Sequence, residues 1–98
     1  MHDLESAIRA NPRVTELCRA LCCIDDAELM MKFLRDLLSL SEYLRTANYW
    51  AAAAELNKGK VVRQVARELG LSPVTVQKAR HWLYEGTGAS VIVLGRLD

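Results

Sequence analysis

The sequence has few of the residues that build metal and catalytic sites. It contains two histidines and three cysteines in 98 residues, and Cys18, Cys22 and Cys23 stand at no metal-ligand spacing from either histidine. Three thiols in one apolar helical segment do not form a disulfide framework, so we expect them to be reduced and buried. No nucleophile lies beside a general base in any recognisable pattern. The sequence therefore predicts no metal, no cofactor and no enzymatic activity.

Other absences exclude further kinds of protein and further kinds of segment. No run of about 18 apolar residues occurs, so we expect no membrane span. The first residues are polar and charged, which predicts no signal peptide and a cytoplasmic location. Aromatic residues make up only 6% of the chain, which argues against RNA binding through stacked bases. No proline-rich or glycine-rich linker divides the chain, so residues 1–98 are expected to form a single domain.

The sequence is rich in apolar residues and in helix-capping patterns. Hydrophobic residues account for 51% of the chain, and we expect part of them to lie in a subunit interface because a chain of this size has a small core. Capping patterns predict helices that begin at Asn11-Pro12, Asp25 and Ser39 and end near Cys23, Leu38 and Asn57. Residues 3–10 favour a weaker helix. Core packing is expected for Met30, Met31, Tyr43, Tyr49 and Trp50.

Residues 61–83 predict two short helices joined by a tight turn. Ala66 allows close helix packing, and Gly70, four residues later, permits the positive φ that the corner requires. Ser72 followed by Pro73 is a helix start, because serine caps the first amides and proline suits the first helical position. The pattern indicates a helix-turn-helix over residues 60–84, a motif that usually places its second helix in a DNA major groove. A plain helical hairpin in a bundle is the alternative.

Charge is distributed unevenly along the chain. Residues 1–56 hold six Lys or Arg and nine Asp or Glu, a net charge of −3. Residues 57–98 hold seven and three, a net charge of +4. The basic half therefore contains the motif, as phosphate binding requires.

The polar residues of the motif fall into two predicted roles. Lysine suits guanine and glutamine suits adenine in the major groove, and residues near the start of a recognition helix usually reach the base edges. Predicted base contacts are Ser72, Thr75, Gln77, Lys78 and His81. Predicted phosphate contacts, which position the protein without selecting sequence, are Lys58, Lys60, Arg63, Arg67 and Arg80.

For Trp82 and for the C-terminal segment, the sequence leaves two structural interpretations open. Trp82 either packs against the long helix or lines a pocket, and core packing is favoured. Residues 85–98 are expected to form a flexible connector and an extended arm, because Val91–Leu94 is a β-branched apolar run that something should cover. A phosphate cradle at 86–90 is disfavoured, since no lysine completes it.

Several segments together resemble the Trp repressor superfamily, and more closely its YerC/YecD-type branch. They are FLRDLL at 33–38, SLSE at 39–42, ELGLS at 68–72 and VTV at 74–76. The resemblance extends over about two-thirds of the chain. It implies an all-α fold, an intertwined homodimer formed by the N-terminal helices and repression through operator DNA. Residues 1–57 would then supply the dimerisation helices.

The resemblance fails where the Trp repressor holds its ligand. The recognition helix of the Trp repressor proper has an arginine and, four residues on, a serine, whereas this chain has Lys78 and Trp82. Lysine lacks the planar fork of arginine, and the indole fills space that a ligand would need. We therefore expect no regulation by tryptophan, and another small-molecule effector stays open.

The sequence as a whole favours a homodimeric, sequence-specific transcriptional regulator that binds double-stranded DNA, with repression preferred over activation. A helical protein–protein adaptor is the main alternative.

Overall fold

The computed structural model describes the backbone of residues 2–97 and the side chains of residues 4–97. Within that range all regular secondary structure is helical, and the predicted all-α class is confirmed. The helices are α1 (His2–Ala10), α2 (Pro12–Cys22), α3 (Ala27–Leu37), α4 (Leu40–Asn57), α5 (Val62–Leu69), α6 (Pro73–Glu85) and α7 (Ala89–Leu97). The contacts divide the chain into an N-terminal unit, Met1–Ser39, and a C-terminal unit, Leu40–Asp98.

Side chains cap the first turns of α2, α3 and α6. Asn11 accepts a hydrogen bond from the backbone N–H of Arg13 at 2.9 Å and starts α2. The α3 cap differs from the prediction by one residue, since Asp26, not Asp25, accepts the N–H of Leu29 at 2.8 Å. Asp26 has the extended backbone that a cap needs, so its side chain reaches the first turn.

The N-terminal unit has apolar stripes but no buried residue. α1 packs against α2, yet no side chain from Leu4 to Ser39 is buried. The expected core position of Met31 is wrong, because 56% of this residue is exposed. The three cysteines, expected to be buried, are also exposed.

The C-terminal unit has a compact core to which all four of its helices contribute. The buried residues are Ala52, Ala53 and Leu56 of α4, Val65 and Ala66 of α5, Val76, Ala79 and Leu83 of α6, and Leu94 of α7. Alanines make up four of these nine positions, and small side chains let α4, α5 and α6 approach closely. The core therefore fixes the two motif helices against the long helix.

The predicted extended arm is wrong, because residues 89–97 form helix α7. The Thr87 hydroxyl accepts the N–H of Ala89, the first residue of this helix, at 3.3 Å. Valine and isoleucine lower helix propensity by only a fraction of 1 kcal/mol each, and burying Leu94 against the core offsets that cost. The expectation that something covers the apolar run is confirmed for Leu94, which is buried in the core.

None of the described helices combines the length and the apolar character needed to cross a membrane.

Candidate functional site

The turn between α5 and α6 has the geometry that the glycine predicts. Gly70 follows the last residue of α5 with φ 66° and ψ 32°, the left-handed conformation. The next backbone N–H, that of Leu71, donates to the carbonyl oxygen of Ala66 at 3.0 Å. This bond satisfies a carbonyl at the helix end and directs the chain into α6.

Ser72 starts α6 as the N-cap. Its Oγ accepts the backbone N–H of Thr75 at 3.2 Å, and it lies 3.0 Å from the Thr75 hydroxyl. Pro73 follows at the first helical position. Both hydroxyls are thus engaged with each other, and the first turn of α6 is held in place by side chains that were predicted to contact bases.

α6 has one buried side and one exposed side. Val76, Ala79 and Leu83 point into the core. Gln77, Lys78 and His81 are all exposed. Lys78 forms no ion pair with any described residue, so its ammonium group is available to a ligand. The motif is therefore a helix-turn-helix whose second helix offers its polar side to solvent.

A groove of about 540 Å³ runs along this exposed side, with walls from α6 and from Tyr49 of α4. Gln77, Lys78 and His81 line it together, so the structure brings these three predicted residues to one place. His81 Nδ1 lies 3.2 Å from a carboxylate oxygen of Glu85, which also lines the groove.

Thr75 lies elsewhere. It is half-buried and lines a separate groove with Leu71 and the early residues of α4, among them Asn48. The structure therefore does not place Thr75 beside Gln77, Lys78 and His81.

Trp82 combines the two roles that the sequence left open. Its ring packs edge-on against that of Tyr49, with centroids 5.2 Å apart and planes at 65°. It is nevertheless 41% exposed and lines the groove on α6. The favoured core position is wrong, although contact with the long helix is confirmed. Edge-to-face packing of this kind holds both rings in place in the lining of the groove.

The three predicted phosphate-binding arginines are exposed and form no ion pair within the described part of the chain. Arg63 and Arg67 lie one turn apart on α5 and line a groove that Pro73 closes at the start of α6. The Arg80 guanidinium carbon lies 5.5 Å from the centroid of the Tyr84 ring, a cation–π distance. The Tyr84 hydroxyl in turn donates to the carbonyl oxygen of Leu56 at 3.4 Å, which ties α6 to the end of α4.

The two predicted phosphate-binding lysines have internal partners. Lys58 Nζ lies 2.8 Å from one oxygen of Glu55, and Lys60 Nζ lies 2.6 Å from the other. Lys60 also contacts Glu68 at 2.8 Å, and Gln64 donates to the second oxygen of Glu68 at 3.2 Å. We call these five residues the acidic clamp.

The clamp changes the ionisation of its members. Hydrogen bonds from Lys58 and Lys60 lower the pKa of Glu55 from its ordinary value of 4.5 to about 2. Hydrogen bonds to Glu55 and Glu68 raise the pKa of Lys60 from 10.5 to about 12. The Lys60 ammonium, followed by the Gln64 amide, lowers the pKa of Glu68. All three groups are therefore charged at neutral pH.

Sequence reasoning missed several residues of this surface. Tyr49 was assigned to packing, although it also lines the groove, and Val74, which is 66% exposed at the start of α6, was not assigned. Glu55 and Lys58 are three residues apart on consecutive turns, a spacing that indicates an ion pair. The Lys60–Glu68 pair has no such signal, since the two residues are eight apart and Lys60 lies before the start of α5. Among the described residues, no cluster of three or more His, Cys, Asp or Glu is placed to hold a metal ion.

Comparison with solved structures identifies the fold. The crystal structure of a TrpR-like protein from Eubacterium eligens ATCC 27750 superposes with a TM-score of 0.82, covering 90% of this chain and 91% of that chain at 22% identity. No protein-family model matches the sequence, and no curated protein does. The Trp-repressor-like fold predicted from the sequence is therefore confirmed, while assignment to the YerC/YecD-type branch stays a prediction.

Proposed function

We propose that this chain is a helix-turn-helix transcriptional regulator that binds double-stranded DNA in a sequence-specific way, acts as a homodimer and represses by occluding promoter DNA. The observation that carries the proposal is the outward side of α6. It begins at a capped N-terminus and exposes Gln77, Lys78 and His81 to solvent, and the ammonium group of Lys78 has no ion-pair partner among the described residues. A recognition helix needs a rigid start and polar side chains that reach solvent.

Base recognition is assigned to the residues of the α6 groove. Gln77 suits the N6 and N7 atoms of adenine, and Lys78 suits O6 and N7 of guanine. His81 lies one turn further along the same side. Val74, exposed at the start of the helix, offers an apolar group for a thymine methyl. Ser72 and Thr75 stay in the proposed contact set, although their hydroxyls already hydrogen-bond to each other.

Phosphate contacts are assigned first to Arg63, Arg67 and Arg80, whose guanidinium groups are exposed and form no ion pair. Arg63 and Arg67 flank the start of α6, where the backbone of a bound duplex would pass. Lys58 and Lys60 belong to the same set, but their ammonium groups are hydrogen-bonded to Glu55. Phosphate contacts position the module and supply most of its salt dependence.

The N-terminal unit supports the homodimer. Six of its large apolar residues are exposed, namely Leu4, Ile8, Leu17, Leu29, Met31 and Leu37. Apolar side chains at helical spacing with no buried member require another protein surface. A second copy of this chain would supply that surface and place two recognition helices about 34 Å apart on a palindromic site. The proposal includes the cytoplasmic location expected from the sequence and no chemistry on the nucleic acid.

Tryptophan has no part in the proposal. Lys78 and Trp82 stand where the Trp repressor family has its arginine and serine, and the indole of Trp82 packs against Tyr49. Regulation by another small molecule is not proposed.

Substituting Lys78 tests the proposal. Selection from a random duplex library first defines the preferred site, and fluorescence anisotropy then compares Lys78→Ala with the parent on that site and on random duplex. We expect a loss of about tenfold on the preferred site and a smaller loss on random duplex, because one good base contact is worth about 1–3 kcal/mol. Lys32→Ala is the matched control, since Lys32 is exposed in the N-terminal unit and pairs with Glu28.

Two outcomes would contradict this assignment. An equal loss on both duplexes makes Lys78 a phosphate contact. No binding to any duplex at low salt, or binding that does not weaken with salt, removes the DNA-binding function and favours the helical adaptor.

A further inference from the structure

Two lysines of the basic half share one carboxylate. Both oxygens of Glu55 are engaged, one by Lys58 at 2.8 Å and the other by Lys60 at 2.6 Å. Glu68 adds a second carboxylate to Lys60 at 2.8 Å. The two lysines and two glutamates carry no net charge together, so this part of the basic surface is neutral.

The neighbouring basic residues behave differently. Arg63 and Arg67 form no ion pair with any described residue and stand on α5 next to Gln64 and Glu68 in the chain. Successive residues of a helix point about 100° apart. α5 therefore carries an unpaired basic stripe, 63 and 67, beside the stripe that belongs to the acidic clamp, 64 and 68.

We propose that Glu55, assisted by Glu68, is an internal counter-ion that competes with DNA phosphates for Lys58 and Lys60 and so keeps the affinity for non-specific duplex low. This inference rests on the proposed DNA-binding function and adds a residue that determines specificity without touching a base.

The physical basis is counter-ion release. Each phosphate neutralised by a protein cation releases condensed counter-ions, and affinity falls with salt by about 0.9 logarithmic units per phosphate and tenfold change in salt. A lysine that already binds a carboxylate must first break that contact, so its gain from a phosphate is small. Because this electrostatic gain is independent of sequence, suppressing it lowers random binding and leaves the base contacts of α6 intact.

A purely structural role for the clamp makes the opposite prediction. The clamp also connects the end of α4 to α5, and a connection that only positions the motif would be needed for binding. Removing Glu55 would then weaken binding to every duplex. The direction of the change therefore separates the two roles.

The experiment measures anisotropy on a random-sequence duplex of about 25 base pairs between 50 and 300 mM salt. The variants are Glu55→Gln, which removes the carboxylate partner of Lys58 and one of the two carboxylate partners of Lys60, and Glu68→Gln, which removes the other partner of Lys60. Glu28→Gln is the matched control, because it changes the net charge equally while its partner Lys32 lies in the N-terminal unit. Circular dichroism verifies that each variant is folded.

We expect Glu55→Gln to bind random duplex about fivefold more tightly at 100 mM salt and to steepen the salt slope by about 1, the value for one added phosphate. Glu68→Gln should show a smaller change in the same direction. If Glu55→Gln does not fold, the result for Glu68→Gln tests the counter-ion role.

Unchanged or weaker binding by both folded glutamine variants, at an unaltered slope, overturns the counter-ion role. An equal gain in Glu28→Gln also overturns it, because net charge alone would then explain the effect. A parent protein that binds no duplex at low salt is a separate result, since it refutes the proposed function itself.

Discussion

The helices of the N-terminal and C-terminal units have similar apolar patterns, but only the C-terminal unit buries apolar side chains in a core. In the C-terminal unit α4 to α7 surround a core in which Val65, Val76 and Ala79 are completely inaccessible. In the N-terminal unit the described apolar side chains are half-buried or exposed, and Leu17 remains 43% exposed. Apolar periodicity therefore predicts which side of a helix is covered, but it does not predict whether the cover comes from the same chain.

The largest expected effect tests the self-contained core. Leu83→Ala should lower the free energy of unfolding by about 3 kcal/mol, because Leu83 is 2% exposed and its removal leaves a cavity. Urea denaturation at fixed protein concentration measures this. Leu97→Ala, at a position that is 69% exposed, should change stability by less than about 0.5 kcal/mol. Similar effects at both positions would mean that the C-terminal core is not the main source of stability.

The second test addresses the N-terminal unit. Leu17→Glu should raise the dissociation constant of the proposed homodimer about 10- to 100-fold, because burying a leucine in an interface is worth about 1.5–3 kcal/mol. Sedimentation velocity across a concentration series measures this. Arg19→Ala changes the net charge equally away from the apolar stripe and should leave the dimer intact. Dimerisation that tolerates Leu17→Glu would assign the interface to another surface.

A third substitution tests the corner that joins the motif helices. Gly70→Ala should destabilise the chain by about 1 kcal/mol, because alanine is strained at a φ of 66°. Gly95→Ala is the paired control. Gly95 lies inside α7 with open space around an added methyl group, so alanine there should stabilise by about 0.5–1 kcal/mol. A neutral Gly70→Ala would show that the corner tolerates another conformation.

The smallest expected effect concerns the pH dependence of the acidic clamp. Because the pKa of Glu55 is lowered to about 2 in the folded chain, its contribution is present above pH 4.5 and is lost as pH falls towards 2. The raised pKa of Lys60, about 12, gives a contribution that is present below pH 10.5 and lost above it. The difference in melting temperature between the parent and Lys60→Met should therefore be constant near neutrality and shrink at both extremes. A difference that does not change with pH would show that Lys60 stabilises by packing alone.

The sequence predicted those features that depend on local chemistry. Asn11 and Ser72 cap their helices because a side-chain oxygen needs only the next turn, and Gly70 adopts the positive φ that its position requires. The second helix of the motif exposes Gln77 and Lys78 as expected.

The features that it did not predict depend on contacts between distant residues. The β-branched run ending at Leu94 is helical because the core accepts that leucine, and tertiary packing overrides a weak propensity. Lys60 meets Glu68, eight residues along the chain, from a position before the start of α5. Trp82 meets Tyr49 from another helix and still faces the groove. Charge counts located the basic half, but they could not show which lysines are already neutralised.

The separation of the buried and exposed sides of α6 has a consequence for which residues can be exchanged. Its anchoring side, Val76, Ala79 and Leu83, is distinct from its outward side, so exchanging outward residues disturbs no buried contact. Such exchanges fall among surface substitutions, which usually alter stability by no more than about 0.5 kcal/mol. Under the proposed function, the outward positions are therefore the place where target preference can change while the architecture is kept.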